Sequence, residues 1–182
     1  MNDYPHQFSG GMCQRVMIAM ALMSSPQLLI ADEPTTALDV TTQAQIMQLV
    51  SNIQASKNMA MIWISHDLNV VSHLADHIAV MYSGFIVEYG NAQTLLTSPQ
   101  HPYTRNLLAA ARDLSGPRKN RLDTLGGQAP NPLTTFHGCQ FADRCSFVME
   151  KCRTEAPQLH SINPEHQLAC WWDVDTNCER IY

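Results

Sequence analysis

Two short apolar runs, each ending in side chains that can do chemistry, set the pattern of this chain. Leu28, Leu29, Ile30 and Ala31 lead into Asp32 and Glu33, with Pro26 and Pro34 as bounds. Ala60, Met61, Ile62, Trp63 and Ile64 lead through Ser65 into His66. Runs of this length between turn-forming residues predict buried strands. Between them Ile46, Leu49, Val50 and Ile53 recur at helical spacing, which predicts a helix over about 40–55 with one core-facing stripe and Asp39 as its cap. Upstream, Phe8, Ser9, Gly10 and Gly11 open a helical pattern that continues to about Ser24. Val16, Met17, Met20, Leu22 and Met23 make that helix apolar on most sides, so its body is expected to be buried.

Beyond His66 the pattern predicts a helix over about 68–75 and then a hairpin, with strands over 77–82 and 85–89 turning at Ser83 and Gly84. Strands alternating with helices indicate an α/β layered fold with a largely parallel sheet. The character changes from Ser98. Gln100, His101, Pro102, Tyr103 and Thr104 start a short helix to about Ala111, with Pro102 suited to the first turn. Residues 113–132, rich in Gly, Pro, Asn and basic side chains, read as a linker. Arg112, Arg118, Lys119 and Arg121 read as one solvated face of it.

A chain of 182 residues, 45% hydrophobic, is enough for one domain with a sizeable core, or for one domain plus an appendage. The net charge of −5 argues against a protein that coats nucleic acid. The longest apolar stretch, 16–31, is broken by Ser24, Ser25 and Pro26, too short a run to span a bilayer. The first residues lack the charged-then-apolar form of a secretory signal. A cytosol-facing chain is expected, with its six cysteines reduced or metal-bound.

The strand ends carry the chemistry. In open parallel sheets, ligands sit beyond the carboxyl ends of the strands, where Asp32, Glu33 and His66 all emerge. One acid there can hold Mg²⁺ through water, and its neighbour can take a proton from an attacking water. The plainer alternative is a strand ending in two solvated acids, with His66 a surface residue beside a helix-capping Asp67. Ser9, Gly10 and Gly11 stand at a helix N-terminus, where free N–H groups and a positive dipole end receive anions, or where Ser9 simply caps. The two glycines would let another molecule approach the backbone closely.

Together these pieces resemble the ATP-binding subunit of ABC transporters, in the branch that imports oligopeptides and dipeptides. Phe8-Ser9-Gly10-Gly11-Met12 looks like the signature motif, Leu28 to Glu33 like Walker B, Ala37-Leu38-Asp39 like the D-loop and His66 like the switch histidine. His101-Pro102-Tyr103 and the cysteine-rich tail are similar to the peptide-importer branch in particular. The resemblance implies ATP and Mg²⁺ as ligands. It places Asp32 on Mg²⁺, Glu33 on the hydrolytic water and His66 on the γ-phosphate. Ser9, Gly10 and Gly11 would bind the γ-phosphate of a nucleotide held by the opposite subunit of a dimer, and Asp39 would link the two sites. It further implies transmembrane permease subunits as partners, a solute-binding receptor indirectly, no nucleic acid, and a peripheral place on the cytoplasmic face of the membrane.

The resemblance divides the chain into 1–98, a partial P-loop ATPase core; 99–132, helix and linker; and 133–182, a small cysteine-rich extension. The family's cradle for the β- and γ-phosphates, a G-x-x-x-x-G-K-[ST] run, does not occur in the sequence. The chain is therefore expected to be the C-terminal part of a longer protein, incomplete, and inactive as an ATPase alone. A non-catalytic metal-binding or docking module and one half of a split ATPase are the competing readings.

In the tail, Cys139, Cys145, Cys152 and Cys170 are separated by five, six and seventeen residues. Structural zinc usually shows tighter pairs, whereas four thiolates at wider spacing suit a [4Fe–4S] cluster. Four plain thiols, or zinc with His137 or His166 replacing a cysteine, remain alternatives. Cys178 is the spare. Cys13, in the first turn after the glycines, is either a reactive thiol at a helix N-terminus or an inert buried one.

Overall fold

The computed structural model describes residues 4–115 and 136–180, with side chains given up to residue 111 in the first of these. The chain forms two compact units, Met1–Leu74 and Ala75–Tyr182.

In the first unit a one-turn 3₁₀ helix, Pro5–Gln7, precedes α1 (Gly10–Leu22), β1 (Leu28–Asp32), α2 (Val40–Lys57), β2 (Ala60–Ile64) and α3 (Leu68–Leu74). The strands β1 and β2 pair in parallel, Leu28 opposite Ala60 and Asp32 opposite Ile64, with α2 as the crossover. Helix α2 starts where the Asp39 carboxylate accepts from Thr42 N, and ends at Asn58 in the left-handed conformation. Both are standard stops for a helix. Ile18 from α1 and Ile46 and Val50 from α2 form the core, with Leu22, Leu29, Leu38, Met61 and Trp63 packed on it.

Two expectations are corrected here. The strands are covered on one face only: Leu29, Met61 and Trp63 point to the helices, while Leu28, Ile30, Ile62 and Ile64 are exposed. Side chains alternate across a strand, so one layer of helices covers half of an apolar run. Helix α1 likewise buries only Ile18, leaving Val16, Met17, Met20 and Met23 in the open. An apolar circumference predicts burial only where neighbours surround it, and the described residues place neighbours on one side.

The second unit begins with the predicted hairpin, β3 (His77–Tyr82) and β4 (Phe85–Asn91), antiparallel with a bulge between Val80 and Met81. Short α4 (Ala92–Thr97) and α5 (Pro102–Ser115) follow, then a 3₁₀ turn, Ala142–Arg144, and α6 (Glu150–Thr154). The strands β5 (His160–Asn163) and β6 (His166–Leu168) extend the hairpin into a four-stranded antiparallel sheet ordered β3-β4-β6-β5. A small ribbon, β7 (Trp172–Asp173) with β8 (Cys178–Glu179), closes the unit. Among the described residues, then, the strands pair in parallel only at β1–β2, against the expected largely parallel sheet. Helix α5 runs through 113–115, beyond its expected end near Ala111, and the rest of the expected linker, 116–132 with Arg118, Lys119 and Arg121, lies outside the described residues, as do side-chain facts for Arg112. Among the described residues no helix is long and apolar enough to cross a membrane.

Candidate functional site

The register of β1 on β2 builds the site. Asp32 pairs with Ile64, and the chain continues that contact one step further, with Glu33 N donating to Ile64 O at 3.0 Å. Glu33 therefore stands over the carboxyl end of β2, where Ser65 and His66 emerge. His66 Nδ1 lies 2.8 Å from Glu33 Oε1, and the His66 backbone N–H donates to the same oxygen at 3.1 Å. The second carboxylate oxygen, Oε2, accepts from Thr36 Oγ1 at 2.6 Å. Glu33 adopts φ of 46° and Ala37 φ of 67°, left-handed values that cost a non-glycine residue about 1–2 kcal/mol. That strain turns the chain sharply, so that Thr36 N donates back to Glu33 O at 3.2 Å and Thr36 reaches the carboxylate.

The electrostatics follow from these contacts. Hydrogen bonds from Thr36, then from His66, hold the Glu33 carboxyl below its ordinary range. The hydrogen bond to Glu33 and its negative charge, with a smaller contribution from Asp67, raise His66 above the usual histidine value. With Nδ1 turned to Glu33, the outward nitrogen is Nε2. A protonated ring presents an N–H donor there, suited to an anion. The imidazole is 77% exposed, which places it on the surface as the plainer reading had it.

Asp32 ends β1 with an exposed side chain. Mg²⁺ bound mainly by phosphates and water needs only one or two protein carboxylates, and Asp32 fits that requirement. Asp39 is the cap of α2, as the sequence suggested: Thr42 N donates to Oδ1 at 2.9 Å and Thr42 Oγ1 to Oδ2 at 2.7 Å. Those bonds, the Thr42 backbone N–H first, lower its pKa.

Ser9 caps α1, accepting from Met12 N at 3.4 Å. The glycines behind it serve the chain itself. A Cβ on Gly11 would sit 2.6 Å from Thr42 Cγ2, and one on Gly10 3.4 Å from Leu38 Cδ2. The bare backbone of α1 thus receives the start of α2, which sets Ser9 and Asp39 on neighbouring helix N-termini. Thr36 and Thr42 are the residues that sequence reasoning missed. Their signal was spacing: each hydroxyl lies three positions after the acid it serves.

In the second unit the cysteine tail differs from its expected form. Among the described residues no group of three or more His, Cys, Asp or Glu side chains is arranged to hold a metal ion, and none of the six cysteines is in a disulfide. Burial pushes the Cys139 thiol up to about 11 and Cys170 up to about 12, and raises Cys145 as well. Each is also raised by the charge of neighbouring cysteines in the set, so the four sulfurs share one neighbourhood. His166 Nε2 is 2.8 Å from buried Glu88 Oε1, and among the described residues His166 belongs to no group of side chains arranged to hold a metal ion.

Known proteins match in both units. Residues 1–36 match the ABC transporter family, and residues 87–152 match the C-terminal region of oligopeptide/dipeptide transporters. A probable peptide ABC transporter ATP-binding protein of Sinorhizobium fredii is 48% identical across 94% of this chain and 51% of its own length. This chain belongs to the ABC transporter ATP-binding family, in its oligopeptide/dipeptide branch. An oligopeptide transport ATP-binding protein of Haemophilus influenzae is 50% identical across 96% of this chain and 54% of its own. A dipeptide transport ATP-binding protein of Escherichia coli is 47% identical across 96% and 53%. The chain spans about half the length of the curated relatives it matches. His101, Pro102 and Tyr103, with Cys139, Cys145 and Cys152, fall in the peptide-transporter match, which ends before Cys170, and the run from Ser9 to Glu33 falls in the ABC match.

Proposed function

We propose that this chain carries the hydrolytic side of the ATP site in the energy-coupling subunit of an importer for oligopeptides or dipeptides. One observation carries the reading: Glu33 and His66, delivered by the ends of two parallel strands, meet at 2.8 Å. Glu33 is the general base for the attacking water, and His66 donates from Nε2 to the γ-phosphate. Asp32 would hold Mg²⁺, which when bound would supply charge neutralisation on the phosphates. Ser9, Gly10 and Gly11 offer the N-terminus of α1 to a nucleotide held by a second ATPase subunit, and Asp39 connects the paired sites. Residues 1–98 form the ATPase portion, 99–132 a helix and linker and 133–182 the branch-specific extension. Permease subunits are the membrane partners, and the protein sits peripherally on the cytoplasmic face. The relatives, which include proteins named for oligopeptide and dipeptide transport, support this assignment.

The test combines this chain with a polypeptide bearing the G-x-x-x-x-G-K-[ST] half and follows phosphate release. Turnover is expected from the combination and not from this chain alone. Glu33→Gln should lower it by about 10²–10⁴-fold, the usual span for a general base. Turnover untouched by Glu33→Gln would refute the assignment.

A second reading concerns Cys139, Cys145, Cys152 and Cys170 as ligands of a [4Fe–4S] cluster. It is favoured by the shared neighbourhood of the sulfurs and by backbone N–H donors on two of them, Phe147 N to Cys145 Sγ and Trp172 N to Cys170 Sγ, both at 3.4 Å. Hydrogen bonds to sulfur tune such clusters. A cube puts each thiolate on a different iron, so its sulfurs stand further apart than those around one ion. Iron and sulfide analysis of anaerobically purified protein tests it: four irons and broad visible absorbance support the cluster, and colourless, iron-free protein rejects it.

A further inference from the structure

The Glu33 carboxylate is fastened at both oxygens. Oε1 takes two bonds, from the ring and the backbone of His66, and Oε2 takes one, from Thr36 Oγ1. An ionised carboxylate offers about four lone-pair positions. Three are engaged, and the one left lies on Oε2, the oxygen that Thr36 holds.

The last torsion of a glutamate is broad and two-fold, so a carboxylate tied at one oxygen can swing the other. Only a second tie fixes where Oε2 points. Thr36 supplies it from within the same tight turn, which the left-handed backbone of Glu33 creates. The two anchors come from different places: His66 follows β2, while Thr36 follows β1. His66 alone leaves Oε2 unanchored, and Thr36 alone leaves Oε1 unanchored.

We propose that Thr36 is a positioning residue for hydrolysis, its hydroxyl holding Glu33 Oε2 so that the remaining lone pair is presented to the attacking water. The catalytic consequence rests on Glu33 being the general base. The contact itself does not, and this separates the two arms of the test.

The first arm uses nuclear magnetic resonance on the 182-residue chain without nucleotide. Thr36→Val keeps shape and removes the donor, while Thr36→Ser keeps the donor. Thr36 is exposed, so both are expected to fold, with Thr36→Ala in reserve. In Thr36→Val the His66 backbone amide and Nδ1 resonances should move. In Thr36→Ser they should stay at their native positions, with the Ile46 and Val50 amides unchanged throughout. Unmoved His66 signals in Thr36→Val, or equal movement in Thr36→Ser, overturn the proposal.

The second arm measures ATP turnover in the combined assembly. Thr36→Val is expected to lower kcat about 10²-fold with KM unchanged, since misplacement of a reacting group by about 1 Å costs that much. Thr36→Ser should restore it. Unchanged kcat in Thr36→Val, even with shifted His66 signals, overturns the positioning role. A Glu33→Gln variant that keeps its turnover removes the base assignment instead, and the nucleotide-free arm shows which has failed.

Discussion

His166 Nε2 stands 2.8 Å from Glu88 Oε1, and both side chains are sealed from solvent. Glu88 does more than pair with His166. It accepts from Gln100 N at 2.6 Å and from His101 N at 3.1 Å, and so ties β4, β6 and the approach to α5 at one carboxylate. His101 is itself buried, its pKa pushed down to about 3 by that burial, and its Nδ1 accepts from Tyr103 N at 3.0 Å. The His101-Pro102-Tyr103 segment is thus pinned from below by Glu88, while the Tyr103 ring packs on Tyr82 and Phe141.

Removing one partner of a buried pair leaves the others unsatisfied and costs about 3–5 kcal/mol. Glu88→Ala should therefore destabilise the second unit by that order, measured by urea unfolding with tryptophan fluorescence. Glu88→Gln, whose single amide oxygen can still accept from one of the two backbone donors, should lose less. Equal losses would show that charge, and not hydrogen bonding, holds the segment.

The Glu33–His66 pair predicts a pH window. Glu33 is lowered in the fold, so its contribution is present above its unfolded value and is lost as pH falls through the folded one. His66 is raised, so its contribution is complete below its unfolded value and is lost as pH rises through the folded one. The pair is strongest between the two ordinary values, about 4.3 and 6.5. Titration of the His66 ring by NMR should give a midpoint above about 6.5, returning toward it in Glu33→Gln. A midpoint that Glu33→Gln does not move would separate the two side chains in solution.

Much of this site was legible because its elements are short and strongly punctuated. Pro26 and Pro34 bracket β1, and the apolar run from Met61 to Ile64 stops at Ser65, so the strand ends and their acids and histidine could be placed. Thr36 was legible only as a spacing three positions after an acid, because its bond depends on a left-handed Glu33, and a glutamate gives no sign of that conformation. β5 and β6 were missed for a different reason. His160, Ser161, Ile162 and Asn163 show no apolar run, and the strand exists through backbone pairing with β6, itself paired to β4. Glu88 sat unnoticed in an apolar strand, since a buried acid is identified only by partners distant in sequence.

The open face of β1–β2 makes a prediction about solubility. Ile30 is 61% exposed and Ile62 is 48% exposed, so neither contributes much burial in this chain. Ile30→Thr with Ile62→Thr should change the unfolding free energy by less than about 0.5 kcal/mol, the range for surface substitutions. The same pair should reduce self-association, read by sedimentation velocity, because contiguous exposed apolar surface drives it. Loss of stability without any gain in solubility would mean that this face is covered in solution.

The contact between Gly11 and Thr42 sets two stabilising effects against each other. Alanine is a better helix former than glycine by about 1 kcal/mol, so Gly11→Ala gains on propensity. Its Cβ, however, meets Thr42 Cγ2 at 2.6 Å, and overpacking costs about 1–3 kcal/mol. Thr42 cannot simply rotate away, because its hydroxyl is bonded to Asp39 Oδ2 at 2.7 Å. Overpacking should win, with Gly11→Ala destabilising by about 1 kcal/mol. Thr42→Ser deletes the obstructing methyl and keeps the hydroxyl, so the double variant should recover the loss and reach or exceed native stability. The double-mutant cycle read by thermal unfolding decides it. Additive effects would mean that the two helix N-termini do not touch, and the glycine would then be free to meet another molecule.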